Sequence, residues 1–209
     1  MSDATLRAAA IVLAGGRSTR LGRDKASEVL LGRTLLQRVL DRLDGLVDEW
    51  LIVKAVGQRL PPVVTTPAAK VIEDAYPGSG PLGGLYSGLA AMRAPFAIAV
   101  ACDMPLLQPR LIAELLRLAP GHGAVVPLHD GLPEPLCAVY SRDCAAIIRA
   151  HLEAGRLKLT GFLDEIDTLY VKPDVWREFD PEGLSFLNVN READLARAAR
   201  VLAAGAGDA

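Results

Sequence analysis

The sequence predicts an α/β fold in which a mostly parallel sheet is covered by helices on both faces, a three-layer arrangement. Three observations carry that expectation. Short apolar runs alternate with stretches of helical periodicity along the whole chain. The first run, Ala8-Ala9-Ala10-Ile11-Val12-Leu13, stops at Gly15-Gly16, as a strand buried on both faces does. No repeat, low-complexity segment or linker divides the 209 residues, so 1–209 is read as one domain with an ordered core over about 8–203.

Taken in order, a polar loop follows the first strand and leads to a helix over about 34–46. Leu35, Leu36, Val39, Leu40 and Leu43 share one face of it. Strands are expected at 50–53 and 70–72. Gly78-Ser79-Gly80-Pro81-Leu82-Gly83-Gly84 precedes a helix to about Arg93, with Pro81 as its first helical residue. A fourth strand, 96–101, ends in Cys102-Asp103-Met104-Pro105, and Pro109 opens a helix carrying Leu111, Ile112, Leu115 and Leu116. Strands follow at 124–127 and 136–140. Ser141 is placed as the cap of a helix carrying Ile147, Ile148 and Leu152, which Gly155 ends. After an irregular stretch, 186–189 reads as a last strand and Asn190 as the cap of a final helix bearing Leu195, Ala198, Ala199 and Leu202. Residues 203–209 read as a frayed tail.

Hydrophobic residues make up 51% of the chain and charged ones 23%, which excludes a disordered protein. A net charge of −2 gives no global field for nucleic acid or an anionic membrane, so any anion must be gripped locally. Cys102, Cys137 and Cys144 lack metal-ligand spacing and fit a reducing compartment. Residues 1–7 contain no signal-type apolar segment, and the longest apolar stretch, 94–102, is roughly half the length that spans a bilayer. The expectation is a soluble, cytoplasmic protein. His122, His129 and His151 have no paired spacing and read as surface residues; Cys102, Trp50 and Trp176 read as packing residues.

Three groups carry chemistry. The first is the loop Leu13-Ala14-Gly15-Gly16-Arg17-Ser18-Thr19-Arg20-Leu21-Gly22-Arg23-Asp24-Lys25. Glycines after a buried strand let backbone N–H groups approach a phosphate or base, and the arginines and Lys25 gather cations where the sheet's carboxyl edge should open. It is neither a Walker A sequence nor G-x-G-x-x-G, so P-loop and dinucleotide readings lose support. The second is Asp103, just past a buried strand, where open α/β sheets place ligands. A lone carboxylate there suits Mg²⁺, which takes one or two carboxylates plus phosphate oxygens and waters. The third is Asp74, suited to a ribose hydroxyl or a metal-bound water, with Gly78 to Gly84 and especially Gly80 placed to close over a base.

These pieces together resemble the molybdenum cofactor guanylyltransferases. The likeness rests on Leu13-Ala14-Gly15-Gly16, Arg20, Leu21-Gly22, Asp24-Lys25, Ile72-Glu73-Asp74 and Gly80-Pro81-Leu82. Cys102-Asp103-Met104-Pro105, Pro135-Leu136 and Asn188-Val189-Asn190 extend it, so it runs from about residue 9 to 200. It implies a Rossmann-like sheet of the nucleotide-diphospho-sugar transferase type. It also implies that GTP donates GMP to the phosphate of molybdenum-bound molybdopterin, with release of pyrophosphate. Leu13, Ala14, Gly15 and Gly16 would then touch base and ribose, Lys25 the triphosphate, Asp74 the nucleotide and Asp103 the Mg²⁺. Arg20 and Lys25 would offset charge on the leaving group. Asn188 and Asn190 would lie toward the acceptor. Arg156 and Lys158, after Gly155, read from the sequence either as solvated basic loop residues or as contacts to the acceptor's phosphate. Molybdoenzymes or their chaperones are the further partners such an enzyme would have. Cytidylyltransferases acting on the same pterin usually read Leu-Ala-Ala-Gly, so Gly15 favours a guanine donor. Sugar-1-phosphate nucleotidyltransferases carry their lysine further along, after a proline. Where the resemblance often has an asparagine, at the end of the second strand, this chain has Lys54. A nucleotide-binding regulatory module without chemistry is the non-enzyme alternative.

Overall fold

The computed structural model describes residues 8–15 and 24–205, which leaves Gly16 and Arg20 of the first loop outside the described residues. The first half comprises β1 (Ala8–Leu13), β2 (Val29–Leu30), β3 (Arg33–Thr34), α1 (Leu35–Leu43), β4 (Glu49–Lys54), β5 (Lys70–Glu73) and α2 (Gly80–Ala91). The second comprises β6 (Phe96–Ala101), α3 (Pro109–Leu118), β7 (Ala124–His129), β8 (Leu132–Pro133), β9 (Cys137–Ser141), α4 (Cys144–Glu153), β10 (Thr168–Val171), α5 (Pro173–Trp176) and α6 (Glu192–Gly205). The main sheet has the order β10-β7-β9-β6-β1-β4-β5, with β8 paired to β7. β1 lies parallel between β4 and β6, and β4 is parallel to β5, while β9 runs antiparallel to both neighbours.

Alternation along β1 divides the core in two. Ala8, Ala10 and Val12 face Leu36, Val39, Leu40, Leu43, Leu111 and Leu115 of α1 and α3. Ala9, Ile11 and Leu13 face Leu82, Leu85 and Leu89 of α2 and Ile148 of α4. All six β1 residues are buried, which is why the run is apolar throughout rather than alternating. The chain moves outward from β1 to β4 and β5, then returns through α2 to β6 on the other side of β1. The strand order therefore reverses between β1 and β6, and a crevice opens there at the carboxyl edge.

Several sequence expectations are corrected. Residues 186–189 form no strand; a 3-10 turn at Leu184–Phe186 leads into an extended segment. Asn190 does not cap α6; the carboxylate of Asp194 instead accepts from the N–H groups of Asn190 and Arg191 at 3.0 and 2.9 Å. Ser141 does not cap α4, whose cap position is Asp143; it closes the preceding turn by accepting from Asp143 N at 3.3 Å. His151 is buried at 1% exposure, because its spacing from Cys144 and Ile148 puts it on the inward face of α4. Its Nε2 lies 2.8 Å from Glu165 Oε1. His122 and His129 are half-buried. Trp50, Trp176 and Cys102 are buried as expected, and burial raises the Cys102 thiol pKa far above its ordinary value. All three cysteines are free and buried. No helix among the described residues is long and apolar enough to cross a membrane.

α2 lies unusually close to β1. A Cβ on Gly88 would stand 2.5 Å from Ile11 Cγ2, and one on Gly84 would stand 3.1 Å from Leu13 Cδ2. Gly88→Ala is therefore expected to cost about 1–3 kcal/mol by overpacking. Ile11→Ala should remove part of that cost in the double variant, because it deletes the colliding atoms. Urea unfolding of the four proteins checks this, and strictly additive effects would contradict the close approach.

Candidate active site

The crevice between β1 and β6 is furnished from three distant parts of the chain. Lys25 opens a single 3-10 turn, Lys25–Ser27, whose first turn is capped by Asp24 accepting from Ala26 N at 3.2 Å. Asp103 stands two residues beyond β6, where Cys102 N still donates to Leu13 O at 3.1 Å and continues the ladder between the two strands. Asn190 reaches the same place because Val189 N donates to Asp103 O at 2.8 Å. Lys25 Nζ donates to Asp103 Oδ2 at 2.6 Å and to Asn190 Oδ1 at 2.5 Å. The ion pair is mostly enclosed, with side chains 20% and 12% exposed.

Asp103 Oδ1 is buried and has no hydrogen-bond partner among the described residues. An orphaned, anionic oxygen is costly unless a ligand meets it. It fits a hard cation completed by phosphate oxygens and water, the way Mg²⁺ is commonly held. Among the described residues there is no group of three or more His, Cys, Asp or Glu able to hold a metal, so Asp103 would be the protein's principal ligand.

The first loop behaves differently from the expectation in one respect. Ala14 N and Gly15 N both donate to Val53 O, at 2.8 and 3.2 Å. These two N–H groups are therefore spent on β4 rather than turned to a base. Gly15 is still required to be small, since a Cβ would lie 3.1 Å from Ala55 N. A residue that sequence reasoning missed, Gln58, ties this region together. Its Nε2 donates to Ala14 O and to Asp24 Oδ1, both at 3.0 Å, and its Oε1 accepts from Ala55 N at 2.9 Å. Gln58 thus links the end of β1 to the turn that bears Lys25. Nothing in the local sequence around Gly57-Gln58 advertises this.

Asp74, just past β5, spends one oxygen internally: Oδ1 accepts from Tyr76 N at 2.9 Å and lies 3.2 Å from Ser87 Oγ. Gly83 and Gly84 serve packing, against Tyr76, Asp74 and Leu13, whereas Gly80 has open space on its Cβ side and a φ of +63°. Asn188 is exposed. Arg156 and Lys158 are exposed too, and Arg156 pairs with Glu165 at 3.1 Å rather than with the Lys25–Asp103–Asn190 group. The strap that delivers Asn190 is anchored by Asp180, a carboxylate 1% exposed that accepts from Leu184 N and Ser185 N at 2.9 and 2.8 Å. A cavity of about 540 Å³ beside α1, lined by Gln37, Trp50 and Val64 among others, holds none of these residues.

The sequence matches the model of the MobA-like NTP transferase domain over residues 10–168. A protein of Chloroflexus aggregans named "Probable molybdenum cofactor guanylyltransferase" is 36% identical, over 88% of this chain and 90% of its own. A molybdenum cofactor guanylyltransferase of Desulfosudis oleivorans is 33% identical, over 93% of this chain and 96% of its own. Among solved structures, molybdopterin-guanine dinucleotide biosynthesis protein A from Archaeoglobus fulgidus superposes with a TM-score of 0.75 at 26% identity. That likeness covers 95% of this chain and 99% of that one.

Lys25→Ala would leave Asp103 without its counter-charge. Breaking such a pair costs on the order of 3 kcal/mol where it is buried, somewhat less at this partial exposure. The variant is expected to melt at lower temperature than the parent and to gain more from added Mg²⁺, which can replace the ammonium. Thermal-shift titration measures both; an unchanged melting temperature and metal response would refute the pairing.

Proposed function

Since the chain belongs to the MobA-like NTP transferase domain family, we propose that it transfers GMP from GTP to the phosphate of molybdenum-bound molybdopterin, forming the guanine dinucleotide cofactor. The observation that carries the reading is the meeting of Lys25, Asp103 and Asn190 at the sheet's switch point. The absence of any helix able to cross a membrane among the described residues, and three free cysteines, support a place in the cytoplasm.

The reaction is an in-line displacement at the α-phosphorus. An acceptor phosphate oxygen forms the new P–O bond, the bond to the β-phosphate oxygen breaks, and pyrophosphate leaves with that electron pair. A phosphate monoester is already ionised near neutral pH, its second pKa being about 6, so no residue need remove a proton. What the chain contributes is position and charge. The Lys25 ammonium, aimed into the crevice, offsets charge growing on the departing pyrophosphate, and Arg20 of the same loop is assigned the same role. Asp103 is the residue that would hold Mg²⁺, which when bound neutralises phosphate oxygens. Asn190, its carbonyl engaged by Lys25, keeps two N–H donors for the acceptor phosphate. Asn188 lies on the same extended segment, and Lys158 is free to approach the pterin's phosphate. Asp74 has one carboxylate oxygen left for a ribose hydroxyl.

Losing one such stabiliser costs ~10²–10³ in rate. Lys25→Ala and Asp103→Ala are each expected to slow pyrophosphate release from GTP by at least that order in the presence of molybdopterin, with circular dichroism unchanged. Wild-type turnover in either variant would remove the role given to that residue. A regulatory module would release no pyrophosphate under any condition.

A further inference from the structure

The turn after β4 is built as a bracket. Gln58 N donates to Ala55 O at 3.1 Å, and the side-chain Oε1 of Gln58 accepts from Ala55 N at 2.9 Å, so the turn is closed twice. Gly57 takes a φ of +73°, which a residue with a side chain adopts only at a cost. Lys54 fastens the turn from the strand side. Its Nζ donates to Gln58 O at 3.1 Å and to Glu73 Oε1 at 2.8 Å. Gly57 N donates to the same Glu73 oxygen at 3.4 Å, which ties the turn to the end of β5 as well.

What the bracket holds is the carboxamide of Gln58. Its Nε2 carries two N–H donors and both are spent, on Ala14 O and on Asp24 Oδ1, each at 3.0 Å. Ala14 follows β1 and Asp24 precedes Lys25, so one nitrogen ties the end of a core strand to the turn that bears the ammonium. The same Asp24 oxygen accepts from Ala26 N at 3.2 Å, so the atom that caps the 3-10 turn is also the atom that Gln58 holds. Ala26 is fully buried against the core on the α1 face. Burial of one methyl group keeps the turn on the core but does not fix its rotation there. The bond from Gln58 does, and with it the direction in which Lys25 leaves the turn toward Asp103 and Asn190.

We infer that Gln58 is a positioning residue for Lys25, and that Lys54 is the anchor that keeps Gln58 in place. The inference rests on the nucleotidyl-transfer reading above, in which the Lys25 ammonium meets the triphosphate. It gives Lys54 a role drawn from its own contacts, since its ammonium is engaged by the bracket. A misplacement of about 1 Å can cost ~10²-fold in rate, so fixing the turn's rotation matters to the chemistry even where stability changes little.

The test is a double-mutant cycle between Gln58 and Lys25 on the full chain. It is read by calorimetric titration with inorganic tripolyphosphate and Mg²⁺, a probe without base, ribose or acceptor, and repeated with GTP. Gln58→Glu keeps the side chain's shape and an acceptor for Ala55 N, but removes both donors and sets a second carboxylate against Asp24. Gln58→Ala is expected to weaken tripolyphosphate about tenfold, and Gln58→Glu more, with circular dichroism unchanged. Should Gln58→Glu not fold, Gln58→Ala carries the cycle. Lys54→Met should weaken the probe in the same direction and add nothing in the Gln58→Ala background. In Lys25→Ala the Gln58 substitutions should change affinity by less than about twofold, because a residue that acts through Lys25 then has nothing to position. A merely structural role would weaken binding by the same factor with or without Lys25, and that result overturns the inference. Parent-like affinity for both probes in Gln58→Ala overturns it too. A parent that binds neither probe and releases no pyrophosphate from GTP with molybdopterin brings down the nucleotidyl-transfer reading itself, and this assignment with it.

Discussion

The contact on which the site depends is the ion pair between Lys25 and Asp103 across the crevice where the sheet reverses direction. Each partner is placed by backbone and not by chance side-chain reach. Asp103 is held by the ladder of β1 and β6 continuing through Cys102 N, and by Val189 N on its carbonyl. Lys25 is held by a capped 3-10 turn that Gln58 fastens to Ala14. Opposite charges fixed in a mostly enclosed crevice interact more strongly than the same charges in water. Both are already fixed in place, so a ligand entering between them would meet little reorganisation. One carboxylate oxygen is satisfied by the ammonium, and the other has no hydrogen-bond partner among the described residues.

Keeping that pair in register constrains elements far from it. α2 must return the chain from β5 to β6 across β1, and Gly84 and Gly88 let it lie directly on Leu13 and Ile11. On the opposite face, the Asp180 carboxylate organises the turn at Leu184–Phe186, and Ser185 Oγ accepts from Gln108 N at 2.9 Å. That framework delivers Asn190 as the second acceptor for Lys25. Buried polar groups here are all spent on placing one extended segment, which explains why it needs no strand partner to be well defined.

Much of this was legible in the sequence. Strands buried on both faces announce themselves as unbroken apolar runs, and β1, β4 and β6 fall where the runs fall. Asp103 could be placed at a carboxyl edge because it closely follows a buried strand, and Lys25 stood out as a cation of the glycine-rich loop after β1. Asn190 reads as a helix cap, as an Asx residue before a helix does, but its Oδ1 accepts from the distant Lys25 while the nearby Asp194 takes the N–H groups of Asn190 and Arg191. His151 could have been placed inside from its spacing to Cys144 and Ile148. Gln58 could not, since its partners at 14 and 24 are distant in sequence and meet it only in the folded chain. β10 escaped because a four-residue edge strand carries too little periodicity to separate from loop.

The hydrogen-bond accounting of the first loop changes where specificity must reside. A glycine pair after a strand suggests amides turned toward a ligand, yet Ala14 and Gly15 give theirs to Val53 O. Gly15 is then explained by close approach to Ala55 rather than by a free donor. Backbone N–H groups that are already bonded can supply shape but no further donor, so any donor to a ligand at this edge has to come from another group. β4 and β5 end in Lys54 and Glu73, two charged groups whose valences are incompletely used.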